Sequence, residues 1–214
     1  METRKIYNLI ILDESGSMGN IKRQAINGFN ETVQTIKAAQ AKHEEQEHFV
    51  SLVTFNSGAI RTIYDKVAVS MIGLLDEQTY SPNCCTPLYD AMGISLSALK
   101  YSVGKKDIAL VTIITDGVEN SSSEFTGQGV KTLVEELKGK GWVFTYIGTN
   151  QDVEKVAATI SVTNVMSFDY SEQGTRQMFK KESRARSRFF DRIARRFSAL
   201  AENYFEEKDD DINK

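Results

Sequence analysis

Asp13 and Asp116 each stand where an apolar run ends, and a third oxygen-bearing residue, Thr86, closes the loop Ser81-Pro82-Asn83-Cys84-Cys85. The first of these ends continues as Asp13-Glu14-Ser15-Gly16-Ser17. Asp13, Ser15, Ser17, Thr86 and Asp116 together supply two carboxylates and three hydroxyls, a set of hard oxygens that needs neither histidine nor sulfur. Such a set suits a small hard divalent cation that keeps part of its water shell. Mg²⁺ fits first, Mn²⁺ or Ca²⁺ can substitute, and Zn²⁺ is a poor match. Alternation turns Asp13, Ser15 and Ser17 the same way as the chain leaves a strand, while Gly16 and Gly19 permit a sharp turn.

These side chains need a sheet to hold them. Residues 5–12 form a β-branched apolar run that stops at an acidic, glycine-containing turn, as a buried strand of a parallel sheet does. Ile21, Ala25, Phe29, Val33 and Ile36 recur at threes and fours, predicting a helix that ends in the charged stretch 43–47. Residues 48–55 and 59–67 flank the turn Asn56-Ser57-Gly58 and predict an antiparallel hairpin. Thr86-Pro87 marks a helix start, with Leu88, Ala91, Met92, Ser95, Leu96 and Leu99 facing inward. Residues 107–115, the most continuous apolar run, predict a central strand.

Beyond it, helix 129–138, strand 142–147, helix 152–160 and strand 164–168 alternate. This order predicts an α/β fold: a mostly parallel six-stranded sheet with one antiparallel edge strand and helices on both faces. Ligands of such sheets bind beyond the carboxyl ends of the strands, where Asp13 and Asp116 fall. From 175 to about 207 a long helix or helix pair is expected, with Phe190, Ile193, Phe197, Leu200 and Tyr204 on its apolar face.

The chain has 214 residues, 41% hydrophobic and 26% charged, enough to bury a core and too apolar for a disordered chain. Two prolines and no Pro/Ser-rich run leave no evident linker. The expected organisation is a main domain over 1–174, a basic amphipathic helical extension over 175–207 and an acidic tail over 208–214. Net charge is -3, unevenly spread. Between Arg176 and Arg196, seven arginines and two lysines face only Glu182 and Asp191, whereas from Glu202 to Asp211 six acids face Lys208 alone. Phosphate neutralisation by the basic run would suit a nucleic acid. The acidic pI of about 5.6 and the lack of interleaved aromatics favour a solvated helix face instead.

Residues 6–12 are too short and wrongly flanked for a signal peptide or membrane span, so a cytoplasmic protein without membrane contact is expected. Cys84 and Cys85 are the only cysteines, and a bridge between neighbours needs a strained ring. No disulfide framework is available, which fits a reducing compartment, and buried structural thiols are expected. His43 and His48 flank a charged helix end and are expected to be solvated. Their scarcity weakens any Ser-His-Asp hydrolase. Gly16-Ser17-Met18-Gly19 fits neither the dinucleotide fingerprint nor the phosphate-binding loop.

Asp-x-Ser-x-Ser after a strand, a distant threonine, and Thr-Asp-Gly after another strand resemble the von Willebrand factor type A (vWA) domain and its metal-ion-dependent adhesion site. The resemblance covers about residues 5–170. Gly28-Phe29-Asn30, Val53-Thr54-Phe55, Thr86-Pro87-Leu88-Tyr89-Asp90-Ala91, Ile114-Thr115-Asp116-Gly117-Val118-Glu119-Asn120-Ser121-Ser122 and Tyr146-Ile147-Gly148-Thr149-Asn150-Gln151 look like a stand-alone subgroup found in bacteria and their phages. It departs at Cys84 and Cys85, where relatives tend to have glycine or serine.

The resemblance implies a Rossmann-like fold and a non-catalytic, Mg²⁺-dependent protein-interaction module. Ser15 and Ser17 would ligate the ion directly, Thr86 directly or through water, and Asp13 and Asp116 mainly through water. A protein partner would complete the shell with a carboxylate, and Glu14, Met18, Cys85 and Glu119 are expected to touch it. Similar bacterial domains work beside AAA+ ATPases, an analogy for the partner's class. Two alternatives remain open at this stage. One is a Mg²⁺-dependent phosphohydrolase with Asp13 as nucleophile, although a second aspartate would be expected at position 15. The other is a nucleic-acid-associated factor using the basic C-terminal helix.

Overall fold

Apolar runs and amphipathic segments resolve into strand and helix in alternation. The computed structural model describes residues 3–149, 153–195 and 204–206. Strand β1 (Arg4–Asp13) leads through a short 3₁₀ turn, Gly16–Ile21, into α1 (Lys22–Lys42). A hairpin of β2 (Gln46–Asn56) and β3 (Ala59–Ala68) follows. Then come α2 (Leu88–Leu99), β4 (Ile108–Ile114), α3 (Gly127–Lys138), β5 (Val143–Gly148), α4 (Val153–Thr159), β6 (Asn164–Ser167) and α5 (Glu172–Ala194).

The six strands form one sheet in the order β3-β2-β1-β4-β5-β6. All neighbours are parallel except β3, which pairs antiparallel with β2 at one edge. The expected architecture is therefore observed. Alternation along β1 splits the core in two: Ile6, Ile10 and Leu12 pack with α1 and α5, and Tyr7, Leu9 and Ile11 pack with α2, α3 and α4. No described helix is long and apolar enough to cross a membrane.

The expected boundary at 174/175 falls inside α5, which starts at Glu172 after Ser171 caps it by accepting the Gly174 N–H. Far from being an appendage, α5 closes one core with Met178, Phe179, Ala185, Phe189, Phe190 and Ile193. Its approach to α1 needs Gly28, because a Cβ there would stand 2.1 Å from the Phe179 ring. Phe197, Leu200 and residues 208–214 lie outside the described residues, and Tyr204 is buried in the same core.

A polar row crosses the sheet beneath α5 and corrects two expectations. Arg186, in the run expected to be solvated, is fully buried. Its guanidinium meets Glu182 Oε1 at 2.6 Å and donates to Asn8 Oδ1 at 3.0 Å and Thr112 Oγ1 at 2.8 Å. Tyr204 also donates to Glu182, at 3.2 Å. His48, expected to be solvated, lies buried between Asn8 and Gln46. Burial first, then the Arg186 charge, pushes its imidazole down to about 3, so it is neutral. Arg176, Lys180, Lys181, Arg184 and Arg195 do face solvent.

Candidate metal centre

β1 and β4 lie side by side, yet the chain leaves them toward opposite faces, to α1 after β1 and to α3 after β4. The crevice at their carboxyl ends is the topological switch point of the sheet. Asp13 closes β1 with its carboxylate buried. Oδ1 accepts the Ser15 N–H at 2.7 Å and Oδ2 accepts the Thr115 hydroxyl at 2.6 Å. The Asp13 carbonyl accepts the Tyr80 hydroxyl at 2.5 Å. Burial above all pushes the Asp13 carboxyl up to about 6, with the Asp116 charge adding to it and the Thr115 and Ser15 hydrogen bonds opposing.

Ser15 precedes the 3₁₀ turn but makes no capping bond with its side chain. Its hydroxyl lies 3.2 Å from that of Ser17, which donates at 2.7 Å to Asp116 Oδ1. Burial raises the Asp116 carboxyl too, against the Ser17 hydrogen bond. Thr86 is fixed by Asn120, whose Oδ1 accepts the Thr86 N–H at 2.8 Å and whose N–H donates back to the Thr86 carbonyl at 3.1 Å. Gly117 explains the third site position: a Cβ on it would stand 3.0 Å from Thr86 Oγ1 and 3.7 Å from Asp13 Oδ2. The threonine hydroxyl and the aspartate therefore converge on space that only glycine leaves open. All five sequence-selected oxygens meet in one cluster, buried at Asp13, Ser15 and Thr86 and reaching solvent at Ser17.

The four residues expected to contact a partner divide. Glu14 is buried, with Arg61 Nη2 on both carboxylate oxygens at 2.6 and 2.7 Å and the Ser81 N–H on Oε1. Met18 is 1% exposed and belongs to the core. Both are corrected: the turn after β1 places them inward. Glu119 is half-buried and spends its carboxylate on the N–H groups of Tyr89, Ser121 and Ser122, shaping the loop after β4. Cys85 is exposed as a contact residue should be, and so is Cys84, which corrects the expectation of buried thiols.

Residue-type reasoning missed the supporting groups. Thr115, Tyr80 and Asn120 orient Asp13 and Thr86, and buried Asp90 accepts the N–H groups of Ser123, Glu124 and Phe125 to hold the same loop. Tyr170 donates its hydroxyl to the Ser17 carbonyl. Thr115, adjacent to Asp116, and Asp90 and Asn120 lie within stretches that carry the resemblance, whereas Tyr80 and Tyr170 lie in no such stretch.

This donor set fits a hard divalent cation. Two neighbouring carboxylates are both pushed toward protonation by burial, and among the described residues neither forms an ion pair. That arrangement favours a cation between them, and the hydroxyls supply neutral oxygens around it. No group of three or more His, Cys, Asp or Glu residues gathers among the described residues.

No family model matches the sequence, and no curated protein matches it. Solved structures do. A von Willebrand factor type A protein from Catenulispora acidiphila superposes with a TM-score of 0.56 at 16% identity, over 86% of this chain and 43% of that one. The chain thus spans less than half the length of that relative. The SpRpn10 VWA domain matches at 0.51 and 14% identity, over 82% of this chain and 94% of that domain. Manganese-loaded TRAP protein of Plasmodium vivax matches at 0.51 and 17% identity, over 83% and 73%. With its strand order, its single antiparallel edge and these neighbours, the chain has the fold of a von Willebrand factor type A domain.

Proposed function

We propose that this protein is a non-catalytic, Mg²⁺-dependent protein-interaction module that works in the cytoplasm. One observation carries the proposal: the five hard oxygens meet at the switch point and reach solvent on the side of Ser17 and Asp116. Asp13, Ser15, Ser17, Thr86 and Asp116 would hold the ion, which when bound supplies a coordination position for a carboxylate of the partner. Mn²⁺ is a natural substitute, in keeping with the manganese-loaded neighbour. Around the site, exposed Cys85, Val118 and Tyr170 give the contact surface that Glu14 and Met18 do not.

The burial of Asp13 argues against its acting as a phosphohydrolase nucleophile, since both its oxygens already accept hydrogen bonds from within the protein. Calorimetric titration of Mg²⁺ and Mn²⁺ tests the reading. Binding is expected in the native chain and lost in Asp13→Ala and Thr86→Ala variants that stay folded. Partner capture should then disappear with chelator, and capture that survives both chelator and Thr86→Ala would sink the proposal.

A further inference from the structure

Two exposed thiols in adjacent positions sit on the rim of this site, and the metal reading makes no use of their sulfur chemistry. Cys84 is held at φ 62°, a left-handed conformation uncommon outside glycine, with its N–H on Asn83 Oδ1 at 2.8 Å. The peptide linking the pair is occupied on both sides. Its carbonyl, from Cys84, accepts the Gly16 N–H at 3.0 Å, and its N–H, from Cys85, donates to Ser57 Oγ at 3.1 Å. Ser57 returns a bond from its own N–H to the Cys85 carbonyl at 2.9 Å. A single peptide plane thus ties the loop after β1, between Ser15 and Ser17, to the turn between β2 and β3.

A disulfide between neighbours closes a small ring that contains this same peptide. The ring forces the peptide from its relaxed planar trans geometry, and a bond strained in this way is easily reduced again. Strained, exposed disulfides have the higher potentials typical of labile rather than structural bridges.

We propose that Cys84 and Cys85 form a reversible redox site whose oxidation releases the loop that carries Ser15 and Ser17. Hydrogen peroxide is the oxidant. One thiolate attacks the peroxide, breaking the O–O bond to give a sulfenic acid and water, and the second thiol displaces the sulfenic oxygen as a second water while the S–S bond forms. The two sulfurs lose two electrons, and the peroxide gains them. Closing the ring turns the linking peptide, so the Gly16 N–H loses its acceptor and the Ser57 hydroxyl loses its donor. The consequence for ion affinity rests on the metal reading; the disulfide and the loop release do not.

The test treats the full chain with hydrogen peroxide, then with dithiothreitol, and follows intact mass, amide hydrogen exchange and Mn²⁺ binding. Expected are an intramolecular loss of two hydrogens that dithiothreitol reverses, its absence in Cys84→Ser and in Cys85→Ser, and exchange at the Gly16 amide about tenfold faster in the oxidised form. Oxidised protein should also bind Mn²⁺ about tenfold more weakly. Formation of only an intermolecular bridge or higher sulfur oxides would overturn the proposal, as would a disulfide that leaves Gly16 exchange unchanged. If reduced protein binds no Mn²⁺, the metal reading fails, and the mass and exchange results still decide the redox site.

Discussion

The Ser17 hydroxyl donates to Asp116 Oδ1 across 2.7 Å, linking the loop after β1 directly to the loop after β4. The two residues are 99 positions apart, and the bond closes the cluster on its solvent side. An ion entering the site would take this hydroxyl as a ligand. Because Ser17 is exposed, Ser17→Ala should change metal-free stability by no more than about 0.5 kcal/mol. It should still weaken Mn²⁺ binding about tenfold or more. Denaturation and calorimetry on the same preparation separate the two effects.

Asp13 links pH to stability and to the ion with opposite signs. Its carboxyl is raised from 3.8 to about 6 in the fold, so the fold disfavours the charged form. That destabilisation is fully present above pH 6 and is relieved as pH falls from 6 to 3.8. Ion binding needs the carboxylate and should weaken through the same window. Asp13→Asn removes the titrating carboxyl but keeps only one of the two acceptors used by Ser15 and Thr115, so with chelator it should flatten the pH dependence of stability between pH 3.8 and 6 while abolishing ion binding. Urea denaturation of the two proteins across pH 4 to 7 checks this, and a variant that keeps the native slope would contradict this account.

His48 acts the other way. Its folded value, about 3, lies below the ordinary 6.5, so its contribution is fully present above pH 6.5 and is lost as pH falls toward 3. The loss should approach about 1.4 kcal/mol per pH unit over that range. In urea titrations at pH 7 and pH 5, His48→Gln should flatten this slope. An imidazole NMR signal of His48 that titrates near pH 6.5 in the folded protein would refute it.

Arg186 and Glu182 form a fully buried pair, so removing one partner strands the other. Arg186→Met should cost about 3–5 kcal/mol, and the double replacement Arg186→Met with Glu182→Leu should recover much of it. Urea denaturation of the two single variants and the double variant gives the coupling directly. Additive losses would mean that the pair is not what organises the polar row.

Legibility followed periodicity and local chemistry. β1 and β4 were readable as apolar runs with Asp13 and Asp116 at their ends, Ser15 and Ser17 as alternate positions past β1, and Thr86 as the residue before a helix start. Arg186 and His48 were misread because local composition cannot tell a solvated basic face from one arginine turned onto Asn8 and Thr112, whose partners lie 178 and 74 positions away. The same holds for Glu14. It was expected to touch a partner, but Arg61, 47 positions on, draws it inward. Asn120 and Tyr80 act through long-range bonds that no local pattern encodes.

The two free edges of the sheet differ in how they meet another chain. β6 is four residues long and offers little to pair with. β3 is ten residues long, and an uninterrupted edge of that length is a template for strand addition between copies. Its pairing with β2 shifts register between Val50 and Val53, and opposite that irregularity Lys66 adopts φ 52° with its N–H on Ser51 Oγ. Arg61, Asp65 and Lys66 place charge along the same strand. An irregular backbone and charges of this kind hinder an edge from lying flat against a second β3, which is how a long edge is guarded against strand-by-strand self-assembly into fibrils.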